Sequence, residues 1–209
     1  IVLTAAHCVE YLGDDVAFAF MGSRLPLKFN RQEVVPLRKW ILHPSYKRDL
    51  SADGKYTTTF NDIALIRLQE DMPSPFEPSA VLNDSSSLPP RINLLLAGVG
   101  ITNEIGDMIV ATGLNQVSVP LHAVSDMLLV TDQTQAKGAC SGDSGGPGYL
   151  VTPNGLVVAG VVRGPHQGAE DCRHYGELTD ASKYKSFILD TVKELEGELP
   201  KFVTPQETP

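Results

Sequence analysis

The sequence predicts an all-β protein of two β units closed by one terminal helix. Apolar runs of four to eight residues, rich in Val, Ile and Leu, recur along the chain and stop at Gly, Pro or Asn. The 18 glycines and 15 prolines are spread as punctuation between these runs and do not gather into a linker. Only one segment, near the end, carries firm helical spacing.

Taken in order, residues 16–20 and 62–68 read as strands of a first unit spanning 1–82. The stretch 72–90 contains Pro73, Pro75, Pro78, Pro89 and Pro90 among several serines and sustains no regular element. It reads as the connection between units, with 83–91 as the connection proper. Residues 92–99, 116–121 and 156–162 read as strands of a second unit covering 92–180. From 181 to 196, Tyr184, Phe187, Ile188, Thr191, Val192 and Leu195 fall at helical spacing, and Asp180 is placed to cap the start. The polar, proline-bearing 197–209 reads as a flexible tail.

Composition narrows the function. With 209 residues, 42% of them hydrophobic and 20% charged, the chain is ordinary for a globular protein with a sizeable core. A net charge of −8 argues against nucleic acid as a partner, and no basic run or long apolar stretch points to a membrane. Nothing in the pattern calls for a metal or other cofactor. The cysteines Cys8, Cys140 and Cys172 are odd in number, so either one is a free thiol or its partner lies outside this sequence.

Three local signals carry chemistry. The first is Gly142-Asp143-Ser144-Gly145-Gly146-Pro147. Glycines around one serine describe a tight turn with an exposed hydroxyl, able to aim the amides of Gly142 and Ser144 at one point, where they would hold an oxyanion. A plain glycine-rich turn is the bland alternative, but the six-residue string has a chance expectation of about 10⁻⁵ at average residue usage. The second is Leu3-Thr4-Ala5-Ala6-His7-Cys8: a serine hydroxyl needs a neighbouring base, and His7 is the histidine whose surroundings suit one. The third is Asp62, opening the apolar run Ile63-Ala64-Leu65-Ile66. An aspartate there is costly to bury unless paired, and holding a histidine Nδ1–H would pair it. Each of the last two, standing alone, would more often be structural.

In the order His, Asp, Ser, these segments resemble the family of trypsin-like and chymotrypsin-like serine proteases. Trp40-Ile41-Leu42-His43-Pro44-Ser45-Tyr46 resembles the family's strand before its aspartate, and Gly98-Val99-Gly100 its Gly-Trp-Gly. The α/β-hydrolases, which also use Gly-x-Ser-x-Gly, run Ser, Asp, His and do not fit. The resemblance implies two six-stranded antiparallel β-barrels with a C-terminal helix, and an endopeptidase using His7, Asp62 and Ser144 through an acyl-enzyme. A catalytically silent, partner-binding relative is the alternative. It further implies a disulfide between Cys140 and Cys172, an oxidising and hence secreted or periplasmic location, and an inactive precursor whose new terminal amine pairs with Asp143. Polypeptide substrates, an activating protease and protein inhibitors are the implied partners, and the implied state is monomeric.

The chain also departs from that pattern. Ile1-Val2 looks like the family's activated terminus but lies too close to His7, so a segment of a few tens of residues, carrying a partner for Cys8, is expected upstream. The specificity pocket maps to Gly138, Ala139, Arg163, Gly164 and Gly176, with no aspartate at its floor. Such a glycine-lined slot suits an apolar or aromatic substrate side chain. The rival is basic specificity through Glu177 after a one-residue register shift, while Arg163 entering the slot would close it or favour an acidic residue. The loops 49–60 and 165–171 look long, the first placed to overhang the cleft.

Overall fold

The computed structural model describes residues 1–13, 17–24, 28, 30–50, 56–103, 109–166 and 171–204. In chain order the strands are β1 (Val2–Thr4), β2 (Phe18–Phe20), β3 (Val34–Leu42), β4 (Lys47–Leu50), β5 (Tyr56–Phe60), β6 (Ala64–Leu68), β7 (Ala80–Leu82) and β8 (Asn93–Gly98). There follow β9 (Ile101–Asn103), β10 (Ile109–Val110), β11 (Asn115–Val124), β12 (Leu128–Asp132), β13 (Pro147–Thr152), β14 (Gly155–Pro165), β15 (Tyr175–Asp180), helix α1 (Lys185–Glu194) and β16 (Phe202–Val203).

β1, β6, β3 and β2 form an antiparallel half-barrel, and β4 and β5 a separate hairpin. The expected second barrel is closed: β13, β8, β11, β12, β15 and β14 hydrogen-bond in that order, and β14 returns to β13. Alternation explains how β6 holds the two units together. Ala64, Ile66 and Leu68 face the half-barrel core with Ala6, Val9 and Val35. Ile63 and Leu65 face the other way, onto Tyr184, Ile188 and Val192 of the closing helix and Val81 of β7. A strand buried on both sides reads as an unbroken apolar run, which is what 63–66 shows. Leu94, Leu96, Val119, Leu121, Leu129 and Leu178 fill the closed barrel.

Three expectations are revised. The first unit was drawn to residue 82, but β7 runs parallel to β14 and so joins the second sheet. The terminal helix begins as a 3₁₀ turn, Ala181–Tyr184, before α1, although Asp180 does accept the Ser182 amide as its cap. Within the tail, β16 pairs with β7, and Phe202 packs beside the helix cluster, so this segment is held. Residues 51–55 and 167–170, inside the two long loops, and 205–209 in the tail lie outside the described residues.

Candidate active site

His7 sits in a single 3₁₀ turn, Ala6–Cys8, with Ala5 and Ala6 fully buried, so no side chain holds the imidazole off the packed backbone. Asp62 is 1% exposed. Its Oδ1 accepts the His7 backbone amide at 2.9 Å, and its Oδ2 lies 2.7 Å from His7 Nδ1. Thr59 donates its hydroxyl to the same Oδ2 at 2.8 Å, and Thr179 of β15 donates to the Asp62 carbonyl at 3.0 Å. Buried carboxylates need such partners. Burial alone would raise the Asp62 pKa, but the bonds from His7 and Thr59 outweigh it and hold the carboxyl below its ordinary range. Burial likewise opposes the His7 imidazolium. Its bonds to Asp62 and Cys8 prevail and lift its pKa to about 10.

The serine turn requires its glycines: φ is +92° at Gly142 and +79° at Gly145. It is closed by Asp143 N–H to Cys140 O at 2.9 Å and Gly146 N–H to Asp143 O at 3.0 Å, and tied to β14 by Gly145 N–H to Val162 O at 2.8 Å. Among the described residues the amides of Gly142 and Ser144 have no protein acceptor, although their neighbours do. The turn lies directly against the His7 segment, since a Cβ on Gly145 would stand 2.4 Å from Thr4 Oγ1 and 3.1 Å from Cys8 Sγ. Ser144 is half-buried, with its hydroxyl 3.5 Å from the Arg163 carbonyl, a long contact.

Asp143 turns away beneath the turn. Its Oδ1 accepts from Gly100 N–H at 2.8 Å and its Oδ2 from Cys140 N–H at 2.9 Å. It borders a cavity of about 380 Å³ that Gly98, Gly100, Gly138 and Ala139 also line. Cys140 and Cys172 form the expected disulfide, and Cys8 is exposed, with no disulfide partner among the described residues.

The pocket residues hold surprises. Gly138 and Gly176 lie on either side of the Gln133 carboxamide: a Cβ on Gly138 would come within 2.1 Å of it, and one on Gly176 within 2.7 Å. Gln133, 1% exposed, donates to Ala139 O at 3.1 Å and Cys172 O at 2.8 Å and accepts from Ala139 N–H at 2.8 Å. Its position in the polar run Asp132-Gln133-Thr134-Gln135 carries no sequence signal. Arg163 departs from its expected place in the slot. The β14–β15 register slips between Val162 and Gly164, and this bulge leaves Arg163 6% exposed, paired with Glu177 and bonded to Thr58 and Thr59. Glu177, also 6% exposed, reaches His166 with its other oxygen at 2.7 Å. Gly164 stands opposite Glu177 and Pro165 opposite Gly176.

A closed β-barrel beside a half-barrel whose own segments carry the Asp62–His7 pair is the trypsin fold. The family model described as Trypsin matches residues 1–188. The chain is 31% identical to rat (Rattus norvegicus) complement C1s subcomponent over 94% of its own length and 31% of that protein. It is 30% identical to seminase of Drosophila melanogaster, over 93% of the chain and 70% of seminase, and 27% identical to bovine (Bos taurus) duodenase-1, over 92% and 74%. It spans about a third of the C1s relatives it matches. The chain belongs to the trypsin family of serine proteases.

Proposed function

We propose that this chain is the catalytic unit of a serine endopeptidase, with Ser144 as nucleophile, His7 as its base and Asp62 as the group that orients the base. The observation that carries this reading is the twofold grip of Asp62 on His7, through the backbone amide and Nδ1 together, directly beside the glycine turn of Ser144. Asp62 fixes the tautomer that leaves Nε2 to take the proton of Ser144 Oγ. The hydroxyl oxygen attacks the peptide carbonyl, and the unoccupied amides of Gly142 and Ser144 receive the oxyanion. His7 returns the proton to the leaving amine, and water repeats the sequence to release the acyl group. Asp143, beside the cavity, is the residue to receive a new terminal amine when a precursor is cut by an activating protease.

The substrate residue before the cut is apolar or aromatic. Gly138 and Gly176 supply no charge, Gln133 presents a neutral amide between them, and Glu177 is engaged by Arg163 and His166. Secretion, protein inhibitors and a monomeric state complete the proposal, in keeping with the disulfide. The test is a fluorophosphonate probe on the full-length, activated protein. Stoichiometric labelling that Ser144→Ala abolishes is expected. An unlabelled but folded protein would establish the silent, partner-binding alternative.

A further inference from the structure

The hydrogen bonds leaving Asp62 do not stop at His7. Thr59 donates to Asp62 Oδ2 at 2.8 Å, and the same hydroxyl oxygen accepts from Arg163 Nε at 2.8 Å. The guanidinium also reaches the Thr58 hydroxyl and the Thr59 carbonyl through Nη2, and Glu177 through Nη1. Thr58, Thr59 and Asp62 lie in and just after β5, ahead of β6. Arg163 and Glu177 belong to the closed barrel. A single buried cation thus spans the junction and ends one hydroxyl away from the Asp62–His7 pair.

Burying a guanidinium is costly, and Glu177 alone would suffice to neutralise it. Yet three of its four bonds go to Thr58 and Thr59. Their effect follows from the hydroxyl's inventory of one proton and two lone pairs. With Nε–H donating to the Thr59 oxygen, the hydroxyl proton must point elsewhere, and the acceptor at hand is Asp62 Oδ2. The cation also favours the Asp62 carboxylate and disfavours a second positive charge on His7.

We propose that Arg163 is a positioning residue for the Asp62–His7 pair: it fixes the Thr59 hydroxyl as a donor to Asp62 and moderates the basicity of His7 from the opposite barrel. Its catalytic meaning rests on the proteolytic reading above; its coupling to His7 does not. The charged and titratable groups facing Arg163 are Glu177 on β15, His166 after β14, Asp62 ahead of β6 and Tyr184 before α1. Those facing His7 are Asp62 and Cys8.

The test titrates His7 by NMR in the full-length protein with Ser144→Ala, which needs no activity. Glu177→Gln keeps the shape but leaves the cation uncompensated, so the His7 midpoint falls by about half a pH unit or more. Adding Arg163→Met removes the cation, and the midpoint rises again by about one unit. In the protein with Ser144 intact, Arg163→Met/Glu177→Gln lowers kcat about tenfold or more on a peptide ester, with KM within about twofold, as loss of orientation requires. Arg163→Lys, which keeps the charge but lacks the fork, lowers kcat while leaving the His7 midpoint in place, and serves if the double variant does not fold. An unmoved His7 midpoint in Glu177→Gln, together with unchanged kcat in Arg163→Lys, overturns the proposal. A midpoint that moves in a protein with no turnover in any form upholds the coupling and sinks the proteolytic reading.

Discussion

Asp62 and Cys8 both favour the proton on His7, and their contributions are separable. Against the burial that opposes the charge, they raise the His7 pKa to about 10. Cys8→Ala removes one of the two supporting bonds and lowers the His7 midpoint, moving the acid limb of kcat/KM to lower pH. A limb that stays put or moves upward refutes this assignment. Asp62→Asn leaves the fold intact and lowers kcat by about 10⁴, the size known for triads of this family. Stability follows the same groups. Because the folded pKa of His7 lies above its ordinary 6.5, its contribution is complete below about pH 6.5 and is lost as pH climbs through about 10. That of Asp62, whose pKa is depressed, is present above its ordinary 3.8 and lost as pH falls further. Thermal midpoints of parent and His7→Ala proteins, compared from pH 6 to 10, should therefore converge with rising pH. At this scale the proposed triad of His7, Asp62 and Ser144 stands out in the sequence because its neighbours are distinctive. Thr59 and Gln133 do not, since their importance lies in partners that only the folded chain brings near.

Among the elements, β6 could be read from residues alone, because burial on both faces leaves an unbroken apolar run. The bulge in β14 could not. One extra residue shifts the register and turns Arg163 inward, and nothing in Val161-Val162-Arg163-Gly164 marks where the slip falls. The 3₁₀ start of the terminal helix was equally silent, since Asp180 caps either form. The pocket walls illustrate how elements are held without a sheet between them. Gln133 joins the segment at Ala139 to that at Cys172, and the disulfide joins the same two segments across a sequence separation of 32. Closing such a loop stabilises by about 3–4 kcal/mol in the chain-entropy model. Gln133→Leu removes the three hydrogen bonds of the carboxamide, at about 2–4 kcal/mol. Because the two staples share their walls, denaturant midpoints of Gln133→Leu, Cys140→Ala/Cys172→Ala and the triple variant should deviate clearly from additivity. Simple addition would show the walls to be independent.

For the whole molecule, the division into two units with a closing helix was legible, but the boundary was misplaced, because β7 is short, proline-flanked and pairs with a strand far along the chain. The tail was misread for a related reason. β16 has too few apolar residues to announce itself, and its stability comes from the Val81 and Asn83 amides, which donate to Lys201 O and Val203 O. Deleting residues 200–209 should expose those two amides to rapid hydrogen exchange while the barrel interior stays protected; unchanged protection at Val81 and Asn83 would show the strand to be dispensable. The position of β7 also has a bearing on how the chain is made. A ribosome delivers β7 first of the three, β14 some 75 residues later and β16 after that. Until β14 emerges both edges of β7 lack their partners, in a nascent chain whose second barrel is still incomplete, which is the condition under which strands pair with the wrong neighbour. The order of synthesis thus leaves one edge of β7 open after β14 has paired with the other, until β16 covers it.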